Sequence, residues 1–107
     1  MNKISHSQQF KFDHKIDYSS DGIVSKQIIQ KKSGNVTLFA FDKGQQLSEH
    51  SVPYDAIVQL LEGSGDIIIE SEIHHLNAGE SIIMPANVPH AINAAERFKM
   101  LLTMIKE

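Results

Sequence analysis

The chain has no cysteine, no tryptophan, only three prolines and a net charge of −3. Without cysteine it has no disulfide, no thiolate metal site and no thiol nucleophile. Its 10 Lys and Arg residues are scattered, and the longest basic run is Lys31-Lys32. The basic stripe that a phosphate backbone requires is missing, which argues against nucleic acid as a partner. No apolar stretch approaches the roughly 18 residues that cross a bilayer. Met1 to Phe12 is polar and lacks the apolar centre of a secretory signal. The expectation is a soluble, cytoplasmic protein with no membrane partner. No G-x-S-x-G elbow and no glycine-rich phosphate loop occurs, so serine-based acyl transfer and nucleotide binding have no support.

What the chain does contain is many short apolar runs broken by turn residues. At 107 residues, 41% hydrophobic and 21% charged, it is sized and composed for one globular domain, 1–107, of modest stability margin. Valine, isoleucine, threonine and phenylalanine dominate the runs, as a pleated, half-buried surface prefers. They predict strands at Phe10–Ile16, Ile23–Gln30, Asn35–Phe41, Ala56–Leu61, Asp66–Glu70, Glu72–Leu76, Ser81–Met84, His90–Asn93 and Phe98–Ile105. Ser33-Gly34-Asn35 reads as a hairpin turn, Gly63-Ser64-Gly65 as a tight connection between two strands, and Asn77 to Glu80 as a further turn. Pro85 to Pro89 is a stiff loop. Helical signals are weak throughout, so the fold class is all-β.

Two blocks carry the chemistry, over 44–63 and 79–93. The first contains Gly44, His50 and Gly63; the second contains Gly79, Pro85 and His90. In spacing they resemble the two motifs of the cupin family, G-x5-H-x-H-x3,4-E-x6-G and G-x5-P-x-G-x2-H-x3-N. That resemblance implies a small single-domain cupin: a jelly-roll β-barrel, also described as a double-stranded β-helix. Asn87 stands at the family's Gly position, and asparagine is the residue next most tolerant of left-handed backbone.

The first motif is degenerate. The family binds a divalent metal through two His and a Glu of the first motif and the His of the second. Here His50 and His90 match, but Val52 stands at the second His position and Ala56 at the Glu position. Asn93 lies one residue before the expected terminal Asn. Two imidazoles are an incomplete ligand set, since catalytic zinc takes three protein ligands and the non-haem iron triad needs a carboxylate. Asp55 is the nearest substitute, but simple alternation aims it away from the face of Ala56 unless Pro53 introduces a bulge. A divalent transition metal on His50 and His90 and no metal at all both stay open.

The expected ligand pocket comprises His50, Val52, Ala56, Val58 and His90, with Leu60 on the same alternating face. Apolar walls with a few placed polar groups suit a small molecule, one whose carbonyl or carboxylate meets an imidazole. The function expected is therefore small-molecule binding without a complete metal site. The alternative is a metal-dependent cupin enzyme of dioxygenase, isomerase or decarboxylase type using His50 and His90. Tyr54, Asp55 and Gln59 lie near the pocket in sequence, as rim or packing residues. Met84, Met100, Met104, Phe39, Phe41 and Phe98 read first as core. His74 and His75 are adjacent, so on a strand they face opposite ways and cannot chelate one ion. The first two predicted strands would supply a sheet edge, and small cupins commonly pair such edges. The resemblance therefore implies a homodimer, with residues 1–9 a flexible or partner-contacting arm.

Overall fold

The computed structural model describes residues 4–107, so the first three residues of the expected arm lie outside the described residues. After a single 3-10 turn at Phe12–His14, the chain forms eight strands. They are β1 (Ile23–Lys31), β2 (Gly34–Phe41), β3 (Gln46–His50), β4 (Asp55–Ile69), β5 (Glu72–Asn77), β6 (Ser81–Met84), β7 (His90–Asn93) and β8 (Phe98–Ile105). Every pairing is antiparallel. One sheet runs β1-β2-β8-β4-β6 and uses the first half of β4; the other runs β3-β7-β4-β5 and uses its second half. The two sheets curl over a shared interior, and the all-β jelly-roll expectation holds.

Strand β4 makes the curl. Ala56, Val58 and Leu60 are buried while Asp55, Ile57 and Gln59 are exposed, the period of two of a half-buried strand. The pairing with β8 slips one residue between Leu60 and Glu62. One extra residue flips the inward parity, so Gly65 and Ile67 are the buried positions beyond it. The same strand can thus line the interior of both sheets.

Gly63-Ser64-Gly65 corrects an expectation: it is the middle of β4 and not a connection between strands. The glycines are there for Phe98. A Cβ on Gly65 would stand 2.6 Å from Phe98 Cε2, and one on Gly63, whose φ is +77°, would run into the Arg97 carbonyl. Phe98 fills that gap fully buried and stacks on Phe41, with ring centroids 4.7 Å apart and planes 9° from parallel. Around this pair the interior packs Ala56, Val58, Leu60, Ile67, Met84, Ile92 and Met100. Met84, Met100, Phe41 and Phe98 are core, as expected.

Two further elements differ from expectation. Phe10–Ile16 is not a strand. Phe12 and Ile16 instead cover the outer face of the first sheet, where Ile16 is buried against Leu38, Ala40 and Leu101, with Phe12 and Tyr18 packed alongside. Polar contacts hold this cover down. Lys99, itself buried, donates to the Asp13 carbonyl at 2.6 Å and lies 3.6 Å from Glu62, which accepts from the Tyr18 hydroxyl at 2.6 Å. Conversely, β3 was not expected. Four of its five residues are exposed, so it carries no apolar alternation, and only its pairing with β7 defines it.

Candidate functional site

His50 and His90 meet because β3 and β7 pair with these two residues directly opposite each other. Their rings are in edge contact, with centroids 4.4 Å apart and planes at 63°. Each Nδ1 sits against the carbonyl two residues earlier on its own chain: His50 with Ser48 at 2.9 Å, His90 with Val88 at 3.4 Å. A carbonyl can only accept, so these contacts favour the proton on Nδ1. In the neutral rings both Nε2 atoms are then lone-pair acceptors, and no described residue engages either of them. His50 is exposed and His90 is buried at 5% exposure, so the pair runs from the surface inward. Burial pushes the His90 pKa below its ordinary value, the neighbouring His50 adds to the depression, and the Val88 carbonyl opposes it. His90 is thereby held toward the neutral, acceptor-bearing form.

The loops on which the site rests are clipped together. Asn87, at φ +65°, takes the left-handed turn expected of it and donates its backbone N–H to the Val52 carbonyl at 2.7 Å. Asp55 Oδ1 accepts the Ala86 N–H at 2.9 Å. The Pro89 carbonyl accepts from Glu70 N–H at 3.0 Å. The Pro85–Pro89 loop is thus fixed at three points, and it delivers His90 to the start of β7.

The five expected pocket residues divide into two groups. Ala56 and Val58 lie inside the barrel, at 2% and 0% exposure; Ala56 stands between Met84 and Met104, and Val58 between Ile82 and Leu102. His50 and His90 stand on the other sheet. Val52 is half-buried in the loop beyond the end of β3, so strand alternation from His50 does not fix its direction. Asp55 faces outward and is occupied with Ala86. Among the described residues no group of three or more His, Cys, Asp or Glu is placed to hold a metal ion. The donor set therefore does not fit the family's metal centre: two imidazoles converge, and no carboxylate or third ring joins them.

Register adds residues that sequence reasoning missed. Opposite residues of paired strands share a face. His50, His90, Ile69 and Glu72 form one row across the second sheet, and Leu47, Ile92, Ile67 and His74 form the next. Ile69 and Leu47 are partly buried and pack on the interior cluster, so they floor the site beside the imidazoles. The signal for Ile69 was the parity switch in β4, which cannot be seen without the bulge. His74 and His75 do face opposite ways. His74 shares the inner row, whereas His75 Nδ1 lies 2.7 Å from Asp66 Oδ1 on the outer face. A separate shallow depression of about 300 Å³ lies beyond the loop clip, lined by Pro53, Tyr54, Asp55, Ala86, Ile105 and Glu107.

This arrangement defines a class, a jelly-roll barrel with a histidine pair on its inner wall. The chain matches the cupin domain over residues 37–105. It belongs to the cupin superfamily, as a small cupin domain. A conserved protein of unknown function from Streptococcus pyogenes is 36% identical, with 99% of this chain and 93% of that one covered and a TM-score of 0.93. A cupin 2 conserved barrel domain protein from Leptotrichia buccalis is 37% identical over 91% of this chain and 47% of its own, with a TM-score of 0.88. A cupin superfamily protein from Desulfitobacterium hafniense, 23% identical with 99% and 97% covered, shares the fold at a TM-score of 0.92. No curated protein matches. No helix among the described residues is long and apolar enough to cross a membrane.

Proposed function

We propose that this cupin binds a small molecule at the inner wall of its barrel, with His50 and His90 as the polar fixtures and no complete metal site. The carrying observation is the converged imidazole pair, whose Nδ1 atoms are committed to backbone carbonyls while the Nε2 atoms have no described partner. Leu47 and Ile69, partly buried beside the imidazoles, supply the apolar lining, with Ala56 and Val58 in the interior behind them. The ligand class is a small carboxylic acid or hydroxyl compound. A ligand O–H is accepted by a neutral Nε2, and a carboxylate pairs with an imidazolium. A homodimer and a cytoplasmic setting belong to the same reading. Among the described residues strand β1 stands at a sheet edge, which a second copy can cover.

The test uses untagged protein. Metal content is measured for the wild type and for His50→Ala, and imidazole ¹⁵N chemical shifts are followed while small carboxylic acids are titrated in. The expected result is substoichiometric metal that the substitution leaves unchanged, with Nε2 resonances of both rings moved by at least one acid. Stoichiometric iron, nickel, zinc or manganese that disappears in His50→Ala would instead establish the metal-dependent alternative.

A further inference from the structure

The inner face of the first sheet changes character along its length. Next to the bend of β4 it is filled by large side chains, Phe41, Phe98 and Met100, all fully buried. Away from the bend, on β1 and β2, the same face turns polar and opens. Phe39 packs on the interior cluster, so Thr37 and Asn35, at the alternate positions before it on β2, share its face. Gln27 stands opposite Thr37, and Gln30 opposite Asn35. Thr37 and Asn35 are half-buried, while Gln27 and Gln30 are exposed. Strand β1 is thus apolar on its outside, where Val24 and Ile28 pack on the cluster around Ile16, and polar toward the barrel interior. That inverts the pattern of a strand closing a core. No side-chain hydrogen bond among the described residues occupies Gln27, Asn35 or Thr37.

This polar face looks onto the histidine pair. Short connections at the bend end, 42–45 and 94–97, join β2 to β3 and β7 to β8, so β3 lies over β2 and β7 over β8. Counted along β4 from the bend, the row of Ile69, His90 and His50 is level with the row of Ala56, Met104 and Asn35. His50 therefore stands across the barrel from Asn35. Packed sheets lie about 10 Å apart, and side chains as short as threonine and asparagine leave part of that gap open. We propose that the inner face of β1 and β2 is the second wall of the site, that Gln27, Asn35 and Thr37 set its specificity, and that its ligand is a neutral polyhydroxylated molecule of monosaccharide size. The inference rests on the binding reading above and narrows its ligand class. An amide offers both donors and an acceptor, and a threonine hydroxyl offers both as well, which matches the hydroxyls of such a ligand. The neutral imidazoles opposite accept one O–H each at Nε2. Leu102 and Met104, half-buried on β8 beside Thr37 and Asn35, meet the ligand's C–H face. Charge argues the same way. The strands hold no arginine, and their lysines, Lys26, Lys31 and Lys99, stand at outward positions, so a ligand carboxylate would meet no fixed cation. Glu72, the carboxylate in the histidine row, lies on β5 at the far edge of the second sheet, away from this wall.

The test follows the imidazole ¹⁵N and side-chain amide signals of untagged protein by NMR. The probes are D-glucose, D-galactose, D-mannose, D-xylose and sorbitol, with D-glucuronate, D-galacturonate and butyrate as the acids. At least one neutral compound should move the Nε2 resonances of His50 and His90 together with the Asn35 amide, and should bind several-fold tighter than the acids. Asn35→Ala, Thr37→Val and Gln27→Ala should each weaken that binding roughly three- to tenfold, the loss of about one hydrogen bond. Thr103→Val, outward on β8 opposite Val36, should leave it unchanged. Gln27 is exposed, so its variant keeps the test valid if the half-buried sites disturb folding. Acids that move the imidazoles while no neutral compound does, or a uronate that binds tighter than its parent sugar, overturn the neutral ligand and leave the histidine site standing. Sugar binding that all three wall substitutions leave unchanged overturns the second wall. If no probe moves either imidazole, the binding reading falls and this inference falls with it.

Discussion

At the scale of single residues, His90 is the position where environment and chemistry bear on each other most directly. Its folded pKa lies below the ordinary 6.5, first through burial and then through His50. The unfolded chain therefore binds more protons than the native one as pH falls below that ordinary value. Stability is fully present above it and is lost on acidification toward the lowered pKa. Between about pH 7 and pH 5, urea midpoints of the wild type should fall more steeply than those of His90→Gln, which carries no titrating group. Equal slopes would show that the native fold holds His90 no differently from the unfolded chain. At this scale the sequence was informative about anchors and poor about directions. Spacing alone located His50 and His90, and Asn87 was readable as a left-handed turn because few residue types tolerate one. The direction of Val52 was not readable, because it lies past the end of β3 in a loop, where alternation from His50 does not hold.

At the scale of elements, β4 holds most of the information, and its bulge explains what the sequence showed and what it hid. The isoleucine- and valine-rich runs announced strands wherever burial alternated. The two halves of β4 were both found, but the glycines between them looked like a turn, because glycine marks turns and close approaches equally well. Only the position of Phe98 distinguishes the two cases. The same ambiguity produced the N-terminal error: Phe10, Phe12 and Ile16 are spaced like strand residues, yet Phe12 and Ile16 cover a face and the segment pairs with no described strand. Gly65 supplies the test. A methyl group there would lie 2.6 Å from Phe98 Cε2 and 2.9 Å from Cζ, and a ring stacked on Phe41 has little room to retreat. Gly65→Ala should destabilise the fold by about 1–3 kcal/mol through overpacking. Gly79→Ala provides a contrast, since nothing lies within 4 Å of its Cβ position and its cost comes from a φ of +92° alone. A thermal or urea midpoint unchanged in Gly65→Ala would mean that Phe98 is not the reason for glycine at that position.

At the scale of the whole molecule, the two sheets are not separable units, because the same strand runs through the middle of both. β4 pairs with β6 and β8 at its first end and with β5 and β7 at its second, so neither sheet can lose its centre without exposing the other's interior. The interior cluster draws on both sheets as well, with Ile67 and Ile92 from one packed with Val58 and Met100 from the other. The histidine pair, on β3 and β7, is therefore only as ordered as the strand that reaches them through Ile69. Such an arrangement unfolds in one step when its shared elements outweigh its local ones. Two lesions on opposite sides should reveal this. Ile67→Ala in the second sheet and Leu38→Ala under the N-terminal cover of the first both remove fully buried side chains, and each should cost about 2–5 kcal/mol. Far-UV circular dichroism reports on both sheets, while tyrosine fluorescence reports on the first sheet alone, through Tyr18 beneath Arg97 and Tyr54 beside Lys106 at the end of β8. In each variant the two signals should move together to a single lower midpoint. Separate midpoints would mean that β4 joins the sheets without coupling them. The site would then lose its order when the second sheet melts, with the first still standing.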